Sequence, residues 1–244
     1  MSQALLLEHR RVWESKRALR TVYEHYYREV VRACQPGRTL EVGGGTGNLK
    51  GFMPDVISSD VQESAWLDVV ADAQRLPFAP ASFANIVMFD VLHHIERPRL
   101  FLEEAARILK PHGRVIVCEP AITPVSYWFY RHFHPEPVCL KVDPLARAKP
   151  TQSRDPWDSN QAIPTLIFGR ESQRLARLMP SLRIHAVRRF GFFAYPLSGG
   201  FRPWSLLPHW LVTPLLTIEH GLEGVLGPLM AFRLLGVIEK CPEE

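Results

Sequence analysis

The sequence predicts an α/β fold: an open, mainly parallel sheet with helices on both faces. Three observations predict it. Short apolar runs of strand length alternate with helical stretches from residue 39 onward. The first run, Thr39–Val42, passes directly into Gly43-Gly44-Gly45-Thr46-Gly47. A glycine-rich turn after a first strand is where such sheets receive polar ligands. A later run, Ser82–Phe89, has the apolar character of a central strand covered on both faces. The length of 244 residues suits one such domain with an elaboration.

Residues 4–33 repeat apolar side chains at helical spacing and read as one or two helices, ended by Pro36-Gly37. They form an N-terminal extension, residues 1–36, before a main domain at 37–244. After strand 1, Asn48–Met53 is a short helix closed by Pro54. Val56–Asp60 is strand 2 and Val69–Ala73 a short strand 3. Strand 4 leads into Asp90. A helix at Arg99–Leu109 and the turn Lys110-Pro111-His112-Gly113-Arg114 then feed strand 5, Val115–Pro120. Thr123–Glu136 is rich in aromatics. Residues 137–163 read as a long loop, and loops of that length are usually functional. A helix at Leu166–Met179 and a strand at Leu182–Phe193 follow. Residues 205–230 carry apolar helical periodicity interrupted at Pro214 and Pro228, a cap inserted before a last strand, Ala231–Glu239.

Composition narrows the function classes. The net charge of +4 is scattered, with small clusters at Arg10-Arg11-Arg17-Arg20 and Arg188-Arg189. These read as solvated faces. No dense basic stripe or nucleic-acid module is seen, so no nucleic-acid partner is expected. Cys34, Cys118, Cys139 and Cys241 lack metal or disulfide spacing and are expected to be reduced, in a cytoplasmic protein. Residues 1–20 lack the apolar core of a secretory leader. No run of about 20 apolar residues suggests a membrane span. No metal-ligand cluster is apparent.

The turn itself carries the chemistry. Gly43, Gly45 and Gly47 permit positive φ and leave no Cβ in the way of a ligand; Gly44 completes the run. Glu41 stands two residues before it. The dinucleotide fingerprint G-x-G-x-x-G/A fails, because its last position is Asn48. The spacing is E-x-G-x-G-x-G instead. Asp60 ends strand 2, 17 residues after Gly43. That is near the roughly 20 expected of a carboxylate that binds ribose hydroxyls, and Val61 is counted with it.

Five segments occur in order: E-x-G-x-G-x-G from Glu41, the strand-2 acid Asp60, A-D-A-x-x-L-P-F at 71–78, D-V-L-H-H-I at 90–95, and L-K-P-x-G-R at 109–114. Together they resemble the class I S-adenosylmethionine (SAM) dependent methyltransferases of small molecules, the group called type 11. The likeness spans about residues 38–120. It implies a Rossmann-like seven-stranded sheet, order 3-2-1-4-5-7-6, with the last strand antiparallel. It also implies SAM as cofactor and S-adenosylhomocysteine (SAH) as product. By the same resemblance Asp72 accepts from the adenine amine, the Ala73 N–H donates to the ring, and Asp90 lies beside the methionine portion. An N-terminal helical lid over the cofactor is common in this family; Tyr23, Tyr26 and Tyr27 are its candidate lining or simply core.

Methyl transfer needs an in-line nucleophile and exclusion of water. An alcohol or phenol also benefits from a base. His93 and His94, after strand 4, are the candidates, with Glu119 at the end of strand 5 next; His132 and His134 are weaker. The expected acceptor is a small organic molecule with an apolar body, lipid-like or otherwise, with transfer to oxygen favoured over nitrogen or carbon. The 205–235 helices make peripheral membrane contact compatible with that reading. Two alternatives stay open: a fold that holds SAM or SAH without turnover, and an NAD-dependent enzyme, against which Asn48 argues.

Overall fold

The computed structural model describes residues 3–147 and 158–242. Seven strands, β1 (Thr39–Val42), β2 (Ile57–Asp60), β3 (Val69–Val70), β4 (Phe83–Phe89), β5 (Leu109–Pro120), β6 (Leu182–Phe190) and β7 (Arg233–Lys240), form one sheet. Its order is β3-β2-β1-β4-β5-β7-β6. The first five strands run parallel, and β7 runs antiparallel between β5 and β6. This is the expected order and direction.

Strand alternation explains the two cores. Ile86, Met88, Val115, Val117, Leu234 and Ile238 face one side, against α3 (Pro98–Ile108), α5 (Ile163–Ile167) and α6 (Ser172–Leu178). Val87, Ile116, Cys118, Leu235 and Val237 face the other, against α2 (Arg17–Ala33) and α8 (His209–Met230). Every strand in the centre is therefore apolar on both faces, which is why it reads as a run and not as an alternation.

Several boundaries differ from the sequence expectation. The expected helix at 166–179 is two short ones, α5 and α6, parted near Gly169. Strand 3 covers only Val69–Val70, because Asp72 already turns the chain by accepting from the Gln74 N–H at 2.9 Å. β6 stops at Phe190 and the chain re-forms as α7 (Ala194–Ser198). Buried Glu219 of α8 caps the start of α7, accepting from the Phe192, Phe193 and Ala194 N–H groups. β5 begins at Leu109, with a register shift at Phe83/Asn85 that absorbs the 110–113 turn. Pro214 and Pro228 do not interrupt α8. Both prolines lie on its exposed face, as do Trp210 and Gly224, whose carbonyls lose their helical donor. On that exposed face solvent can reach those carbonyls, so the lost helical bonds do not force a break.

The aromatic stretch is α4 (Pro124–Phe133), started by a Thr123–Ser126 capping box. The expected loop at 137–163 falls partly on 148–157, outside the described residues. Its flanks return to β4: the Asn160 N–H donates to the His93 carbonyl at 2.9 Å, and the Gln161 N–H to Pro137 at 3.1 Å. At the front, α1 (Gln3–Ser15) reaches the glycine turn, where Arg10 donates to the Thr46 carbonyl at 3.1 Å and covers the Trp66 ring. Arg10, expected as a solvated charge, is thus a contact of the turn. All four cysteines are free. Among the described residues no helix is long and apolar enough to cross a membrane.

Candidate active site

One cavity of about 920 Å³ opens at the carboxyl ends of β1, β2 and β4, where open α/β sheets bind ligands. Glu41, Gly43, Gly44, Gly45, Asp60, Val61, Asp72, Ala73, Asp90, His93 and His94 all line it. Two predicted residues do not. Gly47 holds the turn, its N–H donating to the Gly44 carbonyl at 2.7 Å. Glu119 is fully buried beneath the wall.

The turn is built for a polar ligand. Gly43 has φ +73°, and a Cβ there would stand 2.2 Å from the Val91 side chain. Gly45 has φ +44°, and a Cβ there would meet nothing nearer than 3.9 Å, which is open cradle. Asp60 Oδ2 accepts from the Gly45 N–H at 3.0 Å and Oδ1 from the Gln62 N–H at 3.0 Å. The β2 carboxylate is thereby aimed along the turn. Glu41 is buried and accepts from the Ser58 hydroxyl; burial raises its pKa to about 7. These features fit the adenosyl and amino-acid parts of SAM: a cradle free of Cβ atoms, a carboxylate at each of two strand ends, and Asp72-Ala73 beyond them.

The opposite wall is ionic. His93 is 3% exposed. Its Nδ1 lies 2.6 Å from Glu119 Oε2, and its Nε2 lies 3.2 Å from Glu136 Oε2. Glu119 Oε1 accepts from the Val91 and Leu92 N–H groups at 2.8 and 2.7 Å. Burial opposes charge on the ring, but Glu119 and Glu136 outweigh it and lift the His93 pKa to about 10. Burial likewise opposes the charge of Glu136, and His93 more than compensates, holding it down to about 2. Both nitrogens of His93, one of the candidate bases, are engaged by carboxylates. Glu119, buried and absent from the cavity lining, bonds to His93 from behind the wall. The His94 ring packs against His93 at a tilt of 40°, with centroids 4.2 Å apart. His134 lines the cavity, whereas exposed His132 bonds back to the Trp128 carbonyl of its own helix.

Sequence reasoning missed three residues here. Arg233 is 1% exposed, 2.7 Å from Asp90 Oδ1, and sits over the rings of Tyr26, Phe89 and Tyr195. Asp90 reaches it from a left-handed turn, φ +57°, which Asp tolerates better than most residues. A lone charge inside the apolar run 231–238 was the available signal. Glu136 and Gln161 come from the ends of the long loop, and no local pattern marks them. Tyr23 and Tyr27, buried yet lining the cavity, are both core and wall.

Residues 40–117 match the family described as Methyltransferase domain. The chain is 42% identical over 57 residues to demethylmenaquinone methyltransferase of Clavibacter sepedonicus, covering 23% of each chain. It is 28% identical over 124 residues to the ubiquinone/menaquinone biosynthesis C-methyltransferase UbiE of Azotobacter vinelandii, covering 41% of this chain and 49% of that one. These matches thus span less than half of either relative's length. A SAM-dependent methyltransferase structure from Archaeoglobus fulgidus overlays 98% of this chain and 100% of its own, with TM-score 0.55 at 14% identity, a likeness of fold alone. Residues 40–117 are thus similar to a methyltransferase domain, and SAM is the cofactor which that likeness implies.

Proposed function

We propose that the protein transfers a methyl group from SAM to a small organic acceptor with an apolar body, oxygen being the favoured atom. The observation that carries this reading is one continuous cavity with two unlike ends. One end is the glycine turn with Asp60 and Asp72; the other is the His93–His94–Glu136 wall, flanked by Phe129, Phe133, Tyr195 and Trp204. When bound, SAM supplies a methyl group on a sulfonium, which leaves as a neutral thioether once the acceptor takes the methyl and gives up its proton. Gly43, Gly45, Asp60, Asp72 and Ala73 hold that cofactor. The aromatic wall positions the acceptor and excludes water. The ionic wall faces the acceptor's reacting hydroxyl. Transfer to a ring carbon of a quinone-like acceptor is the second reading, favoured by the names of the two similar enzymes.

Calorimetric titration with SAH, with NAD as control, tests the cofactor end. Micromolar SAH binding and no NAD binding are expected. Asp60→Ala should weaken SAH by about 1.5–3 kcal/mol, the scale of hydrogen bonds to a charged group; unchanged affinity would remove Asp60 from the ribose. SAH binding without transfer from labelled SAM to any phenolic, quinol or lipid acceptor would leave a binding protein and not an enzyme.

The membrane contact expected from the 205–235 region belongs to this proposal. Leu206 and Trp210 are 72% and 73% exposed, and Ile218, Val225 and Leu229 are exposed along α8. Trp204, beside them in sequence, lines the cavity. An exposed apolar face on α8 suits an acceptor drawn from a lipid phase. Co-sedimentation with phosphatidylcholine/phosphatidylglycerol vesicles is expected, and Trp210→Ser with Val225→Ser should abolish it. Wild-type protein that stays in the supernatant would end this part.

A further inference from the structure

We propose that His93, His94 and Glu136 form a binding site for a divalent transition-metal ion of the zinc class, with Glu119 as its outer support. One ligand atom from each of the three lies within 4.8 Å of the others. The 3.2 Å between His93 Nε2 and Glu136 Oε2 is close to the edge of a tetrahedron drawn at about 2.0–2.1 Å from a central zinc. Two imidazoles and a carboxylate are a donor set that suits zinc, cobalt or ferrous iron.

The surroundings support the assignment independently of that spacing. Metal-bound histidines almost always give their second nitrogen to a carboxylate or carbonyl, which fixes ring and tautomer. His93 does this through Nδ1 to Glu119 at 2.6 Å, and Glu119 is itself pinned by the Val91 and Leu92 N–H groups. Glu136 Oε2 is also fixed by the Gln161 amide, which donates to it at 2.6 Å. Gln161 is 2% exposed, and its own carbonyl oxygen has no hydrogen-bond partner among the described residues. The two carboxylates around one imidazole also leave a net negative charge at a buried spot, which favours an added cation. A metal there would replace the Nε2 proton of His93 and leave the ring neutral.

The site has three protein ligands and lines the cavity, so a further position faces the acceptor. That arrangement belongs to catalytic and not to closed structural metal sites. Its use rests on the proposed methyl transfer: the ion would take the acceptor's hydroxyl oxygen and lower its pKa, as bound metals do for water. This answers a need of the geometry, because His93 and Glu136 are tied to one another and neither is an available base.

The test uses the full-length chain stripped with chelator. Co²⁺ titration followed by visible absorption, and Zn²⁺ titration by calorimetry, should each show one equivalent bound. Glu136→Gln and His94→Ala should each weaken binding at least tenfold, and Glu119→Gln about ten- to a hundredfold. His132→Ala, an exposed histidine outside the cavity, should change nothing. Glu136→Gln keeps the side-chain volume, and thermal melts of the metal-free variants verify folding. No one-equivalent binding in the wild type, or equal affinity in Glu136→Gln and His94→Ala, overturns the site. SAH binding by the same metal-free samples keeps the two proposals apart. If SAH binds and metal does not, only the metal site falls; if metal binds and SAH does not, only the transferase reading falls.

Discussion

Arg233→Met is expected to lower the unfolding free energy by about 3 kcal/mol, read from urea midpoints at neutral pH. The figure follows from what the substitution leaves behind. Removing one partner of a buried ion pair costs about 3–5 kcal/mol, because the other charge stays desolvated. Asp90 keeps 31% of its side chain exposed to the cavity, so the low end applies. Burial works against the charge of Arg233, but Asp90 more than restores it and keeps the guanidinium ionised. Methionine fills much of the space between Tyr26, Phe89 and Tyr195, which separates lost charge from lost volume. Asp90→Asn added to Arg233→Met should recover part of the loss, because no buried charge then remains unpaired. A loss under about 1 kcal/mol in the single variant would mean that the pair contributes little and that Asp90 is solvated from the cavity.

Gly43→Ala is expected to weaken SAH binding by about 30-fold or more in the calorimeter. A side chain in the left-handed region costs about 1–2 kcal/mol. Overpacking adds about 1–3 kcal/mol, and here the new methyl group would stand 2.2 Å from Val91. About 2 kcal/mol is already a 30-fold change. The strain has two ways out. Either Val91 moves, disturbing the backbone that Glu119 holds, or the turn opens and Gly45 leaves Asp60. Both alter the cofactor cradle. Adding Val91→Ala should restore part of the affinity by removing the clash, while the φ penalty stays. Gly43→Ala protein that binds SAH within threefold of wild type would show that the turn adapts and that its glycines are not what shapes the cradle.

Local pattern was enough for much of this molecule. Thr39–Val42, the glycine run and Asp60 lie within one stretch of the chain, Asp60 17 residues after Gly43, and strand, turn and strand end follow from propensity and positive φ. Their spacing carried the family resemblance, and the resemblance carried the strand order, because the chirality of parallel crossovers leaves few topologies open. The errors lay where tertiary context overrides local signal. The two prolines in α8 look like breakers, but they lie on a solvated face. Glu219, a charge within the apolar 205–230 stretch, caps α7 across the fold. The surroundings of His93 are likewise absent from D-V-L-H-H-I, and only the fold shows that both its nitrogens meet carboxylates.

The sequence by itself determined the α/β class, the place of the ligand-binding turn and the cofactor family, since each depends on residues close together in the chain. The tertiary structure alone decided which charges meet. Arg233 of the last strand reaches Asp90 because β7 inserts beside β5. Glu136 reaches His93 because the chain after α4 comes back to the segment that follows β4. A buried charge is stable only with its partner, and partners brought together by sheet order and loop return leave no local pattern in the chain.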